Sequence, residues 1–593
     1  MLWARRYCVT EGALGLAGRS LCFREAEVIR HIRWQILLVV LGAILAGVLL
    51  SYQAVGLEEV FVPASGGTLV EGLAGWPQYL NPLLSFNNPV DRDICALVFE
   101  GLTRYDEHGR LVPLLASGWN VSLDGLVYTF WLRQDIRWQD GVGFSADDVL
   151  YTFQLLQDPG YSGPADLAAF WRTVEVDVIN RWTVTFALQE PFAPFLDYTT
   201  LGILPVHLLN DVTAAELPAH SFNRNPIGTG RFQVKSMDWE RGRIILGANL
   251  LYRETRPQLS GIEFRFFPDY ATLLTAYEQG EIHSLSNIQM ADMPRAQKLE
   301  NLHLFTSSLP RYSVILLNLQ DDELPFFQEV GTRQALLYGL DRPALIASEL
   351  NGQGTVAHSP IFPGSWAYYG DVQQYQYDPD LATSLLDAAG WVMPEPESSG
   401  VSLLESQELE AGVRAREGQE LSFSLAAAAD SIHQRLAHQI AQQWAGLGVR
   451  VTVHPVQAGQ VLQLLESSEF AAILVDVDMR GDPDLYPFWS ESAVLEGQNY
   501  AGWQHREASK LLEQARQLTN VGQRTTLYYH FQQIFADQAP ALLLYYHTFT
   551  YGVSDEVQQV TMGPLTDSSD RFATVYDWFL VWREVIIRKS KPQ

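Results

Sequence analysis

Cysteine is scarce in this chain of 593 residues, which contains Cys8, Cys22 and Cys95 and no others. Three cysteines cannot build a disulfide scaffold or a four-cysteine zinc site. Basic residues are also few, because 40 Lys and Arg face 68 Asp and Glu and leave a formal net charge of −28. A nucleic-acid-binding protein needs a basic surface to displace the counterions of the phosphates, so that class is excluded.

The sequence motifs of the common enzyme classes are missing as well. The chain contains no His-Glu-x-x-His, Gly-x-Ser-x-Gly, Gly-x-x-x-x-Gly-Lys or Cys-x-x-Cys. These absences argue against a zinc protease, a serine hydrolase, a P-loop nucleotidase and a dithiol redox protein. We therefore predict no catalytic residue, no cofactor and no metal ion.

An apolar run of 15 residues, Ile36 to Leu50, lies between Trp34 and Tyr52. A helix over 34–52 would be ~28 Å long, close to the ~30 Å of a bilayer's hydrocarbon core. Residues 1–51 hold six Arg and three Glu, so the positive-inside tendency keeps 1–33 in the cytoplasm and exports the remainder. We predict an uncleaved transmembrane helix at 34–52, with cleavage near Gly56 as the alternative.

The exported part alternates between strand-like and helix-like segments, and hydrophobic residues make up 47% of the chain. Ser145 and Asp269 are typical helix N-caps, and Gly280 is a typical helix end. The stretch 393–420, rich in Glu, Pro, Ser and Gly, predicts a solvated, flexible insertion. Strands are predicted at 67–72, 127–133, 182–188, 231–235, 262–267, 312–319, 421–425, 449–454 and 541–546, and further helices at 329–341, 378–389, 430–447, 505–518 and 522–537.

Several motifs along the exported part occur in a characteristic order. The first stretch, from Tyr105 to Phe153, is physically a turn, a strand, a glycine turn and a capped helix with nothing catalytic in it. It contains Pro113-Leu-Leu-Ala-Ser-Gly-Trp119 and Trp138-Gln-Asp-Gly141. The motifs that follow are Pro226-Ile-Gly-Thr-Gly230, Val330 to Arg342, Tyr377-Asp-Pro379 through Trp391, and Arg524 to Pro540. In this order the set resembles family 5 of the extracytoplasmic solute-binding proteins, the peptide- and nickel-binding subunits of ATP-driven (ABC) importers.

This resemblance implies an α/β fold of the periplasmic-binding-protein type, a class II two-lobed clamp with an extra subdomain. Its partners would be ABC permease and ATPase subunits, and the protein would be a monomer outside a bacterial cell membrane. The implied ligand is a peptide, with a sugar or a nickel chelate as alternatives, and a ligand-sensing receptor without transport as the other functional class. The implied division is 57–102, 228–310 and 548–593 for lobe I, 103–227 for the subdomain, and 311–547 for lobe II.

The resemblance also implies a ligand site at the end of a strand. In peptide-binding members an acidic residue pairs with the peptide's ammonium group, and an alignment without gaps puts Asp478 at that acid and Val475 where the family has Trp. The stretch Asp476 to Asp484 also imitates a calcium loop, but Pro487 replaces its bidentate Glu, so we predict no metal there. Further predicted ligand contacts are Asn318, Trp366, Asp482, Trp489, Tyr500 and Trp503.

Overall fold

The computed structural model describes residues 21–54, 57–106, 108–393, 412–479 and 481–588. The strands of the described chain are β1 (Leu57–Ala64), β2 (Thr68–Ala74), β3 (Thr103–Tyr105), β4 (Leu111–Pro113), β5 (Ala116–Val121), β6 (Val127–Leu132), β7 (Glu175–Asn180), β8 (Thr183–Ala187), β9 (Phe232–Asp238), β10 (Arg243–Ala248), β11 (Gly261–Phe267), β12 (Ser284–Leu285), β13 (Leu302–Leu317), β14 (Thr355–Val356), β15 (Ala415–Arg416), β16 (Gln419–Glu420), β17 (Ser422–Ala428), β18 (Arg450–Val456), β19 (Ala472–Asp478), β20 (Ala541–Ser554) and β21 (Val581–Arg588).

The α-helices of the described chain lie between these strands. They are α1 (Leu21–Ala54), α2 (Pro89–Val98), α3 (Ala146–Gln157), α4 (Ala165–Trp171), α5 (Phe195–Tyr198), α6 (Val206–Leu209), α7 (Tyr270–Glu278), α8 (Met293–Ala296), α9 (Val330–Tyr338), α10 (Arg342–Glu349), α11 (Pro379–Ala388), α12 (Ser431–Ala445), α13 (Ala458–Ser467), α14 (Tyr486–Trp489), α15 (Ala493–Glu496), α16 (Arg506–Gln517) and α17 (Val521–Gln538). Short 3-10 helices occur at 85–87, 217–219, 221–224, 325–328 and 568–572.

The chain divides into two compact units, of which the smaller contains both ends of the chain. Its described elements are α1 and the antiparallel pair β1–β21, in which Leu57 lies opposite Arg588 and Ala64 opposite Val581. Among the described residues, no helix has the length and apolarity needed to cross a membrane. The transmembrane helix at 34–52 stays a prediction.

The larger unit, Ser65–Leu580, is organised around an eleven-stranded mixed sheet. The order of its strands is β18-β17-β19-β13-β20-β12-β2-β11-β10-β9, and β14 pairs with β20. We call the half that contains β2 and β9 to β12 lobe I, and the half that contains β17 to β19 lobe II. The residue ranges assigned to the lobes from the sequence stay predictions.

Two long antiparallel strands, β13 and β20, join the lobes. Leu302 to Ser308 pair with Ser554 to Thr548, and after a register shift Tyr312 to Leu316 pair with Tyr546 to Ala541. In lobe II both faces of these strands are buried, since Ile315 and Leu317 face one core while Val314 and Leu316 face another. A strand buried on both faces reads as a continuous apolar run, which is the pattern of this part of the sequence.

A separate four-stranded antiparallel sheet, β5-β6-β8-β7, forms the subdomain together with α3 and α4. Its core is aromatic, with Phe153 of α3 and Trp171 of α4 packed against Phe186 of β8. Gln139 ties this subdomain to lobe I, because its side chain accepts from the Gly228 amide at 3.0 Å and donates to the Phe232 carbonyl at 2.8 Å.

Most strand and helix predictions in the larger unit are confirmed within a few residues. Asp269 caps α7 by accepting from the Thr272 amide at 2.8 Å, as predicted. The predictions for 312–319 and 541–546 capture only half of β13 and half of β20.

The insertion predicted at 393–420 is wrong at its C-terminal end, and its residues 394–411 lie outside the described residues. The end of the stretch forms the hairpin β15–β16, and the buried Arg414 beside it donates to the Leu447 carbonyl at 2.7 Å.

Candidate ligand-binding cleft

A cleft of about 860 Å³ opens between the subdomain, lobe I and lobe II. Such a volume is within the usual range of small-molecule sites. Its walls come from segments that are far apart in the sequence, 82–114, 164–202, 230–252, 478–516 and 566–575. The sheet topology brings them together, so no single stretch of the sequence contains this site.

Asp478, the predicted ligand acid, lies at the end of β19 and borders the cleft. It also borders two neighbouring cavities of about 210 and 400 Å³. On β13 its register partner is Arg311, next to the register shift that marks the passage between the lobes. The predicted acid therefore stands where three cavities meet, on the strand nearest to the crossing.

The cavity of about 400 Å³ lies within lobe II and is largely apolar. Trp489 and Tyr500, both predicted as ligand contacts, line it together with Val461 and Leu465. Val475, which stands where the family has Trp, lies in the same wall.

One edge of β19 is open beside this cavity. On one side the strand pairs with β13 along its whole length, but on the other side β17 reaches only Ala472 to Leu474. Among the described strands, none pairs with Val475 to Asp478 on that second side. Unpaired backbone groups on a strand edge can accept an extended peptide as an additional strand.

Asp476, two residues before Asp478, was missed as part of this site. Its carboxylate accepts from Arg311 at 2.8 Å, and His547 Nε2 lies 3.1 Å from its other oxygen. Burial alone would raise the pKa of Asp476, but hydrogen bonds from His433 and His547 and the nearby charges lower it overall. The alternation of side chains along a strand, which puts Asp476 on the same face as Asp478, was the available signal.

The structure gives Asp482 a partner within the protein, and its role as a ligand contact stays a prediction. It borders the cleft, but both of its carboxylate oxygens accept from Arg524, one of them at 2.7 Å. Trp366, predicted to line the cleft, instead lies beside this pair, with the Arg524 guanidinium 5.0 Å from its ring centre. Both residues support the loop that carries Asp478, and neither presents a group for ligand in this structure.

The lining of the cleft does not include Asn318 or Trp503, and their roles as ligand contacts stay predictions. The buried Asn318 amide donates to the Ser468 and Phe470 carbonyls, both at 3.2 Å, so it holds a turn. Trp503 is 4% exposed and packs against Phe535 in the core of lobe II. Asn318 follows β13, as predicted, but at the end of the strand remote from the cleft, and a residue type alone does not tell the two ends of a strand apart.

The cavity of about 210 Å³ has a charged lining that sequence reasoning also missed. Arg571 is fully buried and donates to both oxygens of Asp93, at 2.8 and 2.7 Å, and to Glu71 at 3.0 Å. Burial raises the pKa of both Glu71 and Asp93, although the charge of Arg571 opposes the shift. This ion cluster fixes β2, α2 and the 3-10 helix at 568–572 to one another.

Metal binding by the 476–484 loop has no support in the structure. Within the described residues, no group of three or more His, Cys, Asp and Glu side chains is arranged to hold a metal ion. Asp482 faces Arg524, and Asp484 lies 3.0 Å from Arg516. The acids of this loop therefore converge on arginines.

A mixed sheet in two halves, joined by two strands and flanking a cleft, defines the class of two-lobed binding proteins that hold a solute between their lobes. The family model "Bacterial extracellular solute-binding proteins, family 5 Middle" matches residues 110–494, and the chain belongs to this family. The resemblance found in the sequence is thereby confirmed.

Relatives of known function match most of the chain. The oligopeptide-binding protein AppA of Bacillus subtilis is 28% identical over 495 residues, which cover 82% of this chain and 87% of that protein. The dipeptide-binding protein of Escherichia coli is 28% identical over 531 residues, covering 84% and 92%. The solved structure of AppA from Bacillus subtilis with a nonapeptide has a TM-score of 0.62 at 26% identity and covers 88% of this chain and 100% of its own.

Proposed function

We propose that this protein captures peptides outside the cytoplasm and delivers them to the permease of an ATP-driven importer, without catalysis of its own. The observation that carries the proposal is the position of Asp478, at the meeting point of three cavities and at the end of a strand with an open edge. An open strand edge binds peptide backbone whatever the side chains are. The names of the two relatives, an oligopeptide- and a dipeptide-binding protein, agree with this substrate class.

In this proposal Asp478 accepts hydrogen bonds from the ammonium group of the peptide's first residue. The chain then runs beside Val475 to Asp478, and an apolar side chain enters the cavity lined by Trp489 and Tyr500. Contacts from both lobes exist only in the closed form, so a bound peptide shifts the population toward that form. The permease recognises the closed form and receives the peptide from it.

The test is a double-mutant cycle between Asp478 and the peptide's ammonium group. Defined di-, tri-, penta- and nonapeptides are screened by thermal shift, and calorimetry gives the affinity of the best binder. Asp478→Asn is expected to weaken binding by about 2–5 kcal/mol, the cost of breaking a desolvated charge pair. N-acetylation of the peptide is expected to weaken wild-type binding by a similar amount. The two changes together should be strongly non-additive, since each removes the same contact.

The matched control is Asp322→Asn, which removes an exposed acid of lobe II outside the cleft and should leave affinity unchanged. Full additivity of Asp478→Asn and acetylation would contradict the assigned contact while leaving peptide binding intact. Failure of every peptide to bind, together with binding of a sugar or a nickel chelate, would replace the substrate class. Peptide binding without uptake by the importer would favour the sensing receptor.

We further propose that residues 34–52 attach the protein to the bacterial cell membrane, with the larger unit on the extracytoplasmic side. Support comes from the apolar run Ile36 to Leu50, from its flanking Trp34 and Tyr52, and from the exposure of these apolar side chains in α1. After cell fractionation the full-length chain should sediment with membranes, resist alkaline carbonate and dissolve in detergent. A soluble form that begins near Leu57 would show cleavage instead.

A further inference from the structure

The subdomain contacts lobe II beside the cleft. The Ala193 amide donates to the Arg516 carbonyl at 2.7 Å, and the Arg516 guanidinium lies 5.0 Å from the ring centre of Phe192. A few residues further on, the carboxylate of Asp197 accepts from the backbone amide of Asp482. This contact joins the two walls of the cleft, so it exists only while they are close together.

The lobe II side of this contact is shaped to admit a carboxyl group. Gly481 has a φ of +83°, a conformation that residues with a side chain rarely adopt. A Cβ atom added at Gly481 would overlap the carboxylate of Asp197. Asp197 is therefore inserted against the bare backbone of the loop that carries the predicted ligand acid, and it is half-buried at the edge of the cleft.

Among the described residues, the acids around Asp197 outnumber the cations. Asp482 takes both of its hydrogen bonds from Arg524, and Asp484 pairs with Arg516 at 3.0 Å. Asp197 is thus a third carboxyl group beside two arginines that already pair with Asp482 and Asp484. Burial, followed by the negative charge of Asp482, raises the pKa of Asp197 to about 8, although the Asp482 amide and Arg524 act in the opposite direction. The titratable and charged groups that face it or its neighbours are Asp166, Asp482, Asp484, Arg516, Arg524, Tyr128, Tyr198 and Tyr528.

We propose that closure of the subdomain onto lobe II takes up one proton on Asp197, so that this contact is a proton-controlled latch on the cleft. In the protonated form Asp197 still accepts from the Asp482 amide and carries no charge against the Asp482 carboxylate. In the ionised form the same contact buries a third negative charge, which favours separation of the walls. The inference goes beyond peptide binding and needs no ligand for its test.

The direction of the pH dependence follows from proton linkage. In the open form Asp197 meets water, where an aspartate has a pKa of about 3.9. Between that value and about 8, the closed form binds one more proton than the open form. The equilibrium constant for closure therefore falls by up to tenfold per pH unit as pH rises through this interval, and levels off above it. An acidic exterior would hold the cleft closed, and an alkaline one would release it.

The experiment measures the distance between subdomain and lobe II in the full-length chain, without ligand. Donor and acceptor dyes are attached at the exposed positions 120 and 510 (Asn120→Cys and Lys510→Cys), with Cys8 and Cys22 replaced by serine and the buried Cys95 retained. Transfer efficiency is recorded from about pH 5 to about pH 9, at low and high salt. Salt screens exposed charges but acts weakly on a buried cluster.

In the wild type, transfer efficiency should fall with rising pH and depend little on salt. In Asp197→Asn, which keeps the shape and the acceptor oxygen but cannot ionise, it should stay high at every pH. Asp177→Asn, which changes an exposed acid of the same subdomain, should follow the wild type. A wild-type signal that does not change with pH overturns the proposal, and so does an Asp197→Asn chain that follows the wild-type curve. The wild-type titration decides the question even if a variant fails to fold, which circular dichroism would show.

Discussion

Replacing Arg571 with methionine removes the cation from the most deeply buried charge cluster of the larger unit. Arg571 and Glu71 are inaccessible to solvent, and Asp93 nearly so. The methionine side chain keeps the apolar stem of arginine but lacks its hydrogen bonds and the guanidinium group, which lies 4.1 Å from the ring centre of Phe572. The substitution therefore leaves two buried carboxyl groups without their counter-charge and changes little else.

The expected cost follows from the geometry of the cluster. Removal of one partner from a buried ion pair destabilises a protein by about 3–5 kcal/mol, because the remaining charge is buried without compensation. Here one guanidinium serves two carboxylates through bonds of 2.7 to 3.0 Å, so we expect about 5 kcal/mol at neutral pH. The pKa values of Glu71 and Asp93, already raised by burial, should rise further in the variant.

The sign of the pH effect is fixed by these raised pKa values. An acid whose pKa is higher in the folded state than in the unfolded state favours folding while it is protonated. Its contribution to stability is complete below the unfolded-state pKa of about 4 and is lost as pH rises through the folded-state pKa. The variant should therefore lose least stability at acidic pH, where both carboxyl groups are protonated, and progressively more as pH rises. Thermal unfolding measures the whole unit, and amide exchange of β2 and of residues 568–572 measures the cluster locally.

The control for this prediction is Arg435→Met, since Arg435 is 52% exposed and pairs with Glu349 at 2.9 Å. An exposed pair contributes about 0–1 kcal/mol, so this variant should unfold almost like the wild type. If Arg571→Met loses less than about 1 kcal/mol of stability, or if its loss of stability does not change with pH, the reasoning is refuted. The guanidinium would then not be needed to compensate the buried carboxylates.

Two further predictions concern close packing and acid stability. Gly228→Ala should prevent stable folding, because a Cβ atom there would overlap the Val98 carbonyl. The control is Gly331→Ala, in an open position of α9, which should leave the melting temperature equal or higher. The lowered pKa of Asp476 contributes stability that is present above the unfolded-state pKa of about 3.9 and is lost as pH falls. The wild type should thus lose more stability than Asp476→Asn on acidification from about pH 6 to about pH 3, measured by thermal unfolding; equal losses would contradict this role.

The sequence was sufficient for elements that local chemistry determines. Asp269 begins α7 because its carboxylate reaches an amide three residues later, and Gly280, with φ of +72°, ends the turn that follows. The strand 312–319 was predictable because both of its faces are buried. Each of these signals lies within about ten residues of the element that it predicts.

The parts that could not be predicted depend on distant partners. The first half of β13 contains Thr306, Ser307 and Ser308, and it is extended because it pairs with β20, about 240 residues away. Asp482 resembled a ligand acid because its partner is not visible in the local sequence. Arg524, which donates to both of its carboxylate oxygens, lies 42 residues further along the chain. No local sequence pattern marks Asp197, because its carboxylate contacts a backbone amide of a lobe II loop 285 residues away. Spacing within one sequence does not encode such pairs.

In the proposed function an acidic protein binds the ammonium group of its ligand at one acid, and the arginines beside the cleft engage the neighbouring acids. The 476–484 loop has four acids, and three of them face protein cations: Asp476 faces Arg311, Asp482 faces Arg524, and Asp484 faces Arg516. Asp478 is the member that borders all three cavities. Arginines compensate the charges of the other three acids, and in the proposed function a ligand's ammonium binds at Asp478 because this residue lies beside all three cavities. In that proposal the net charge of −28 concerns solubility and approach, while recognition of the ligand depends on the geometry around Asp478.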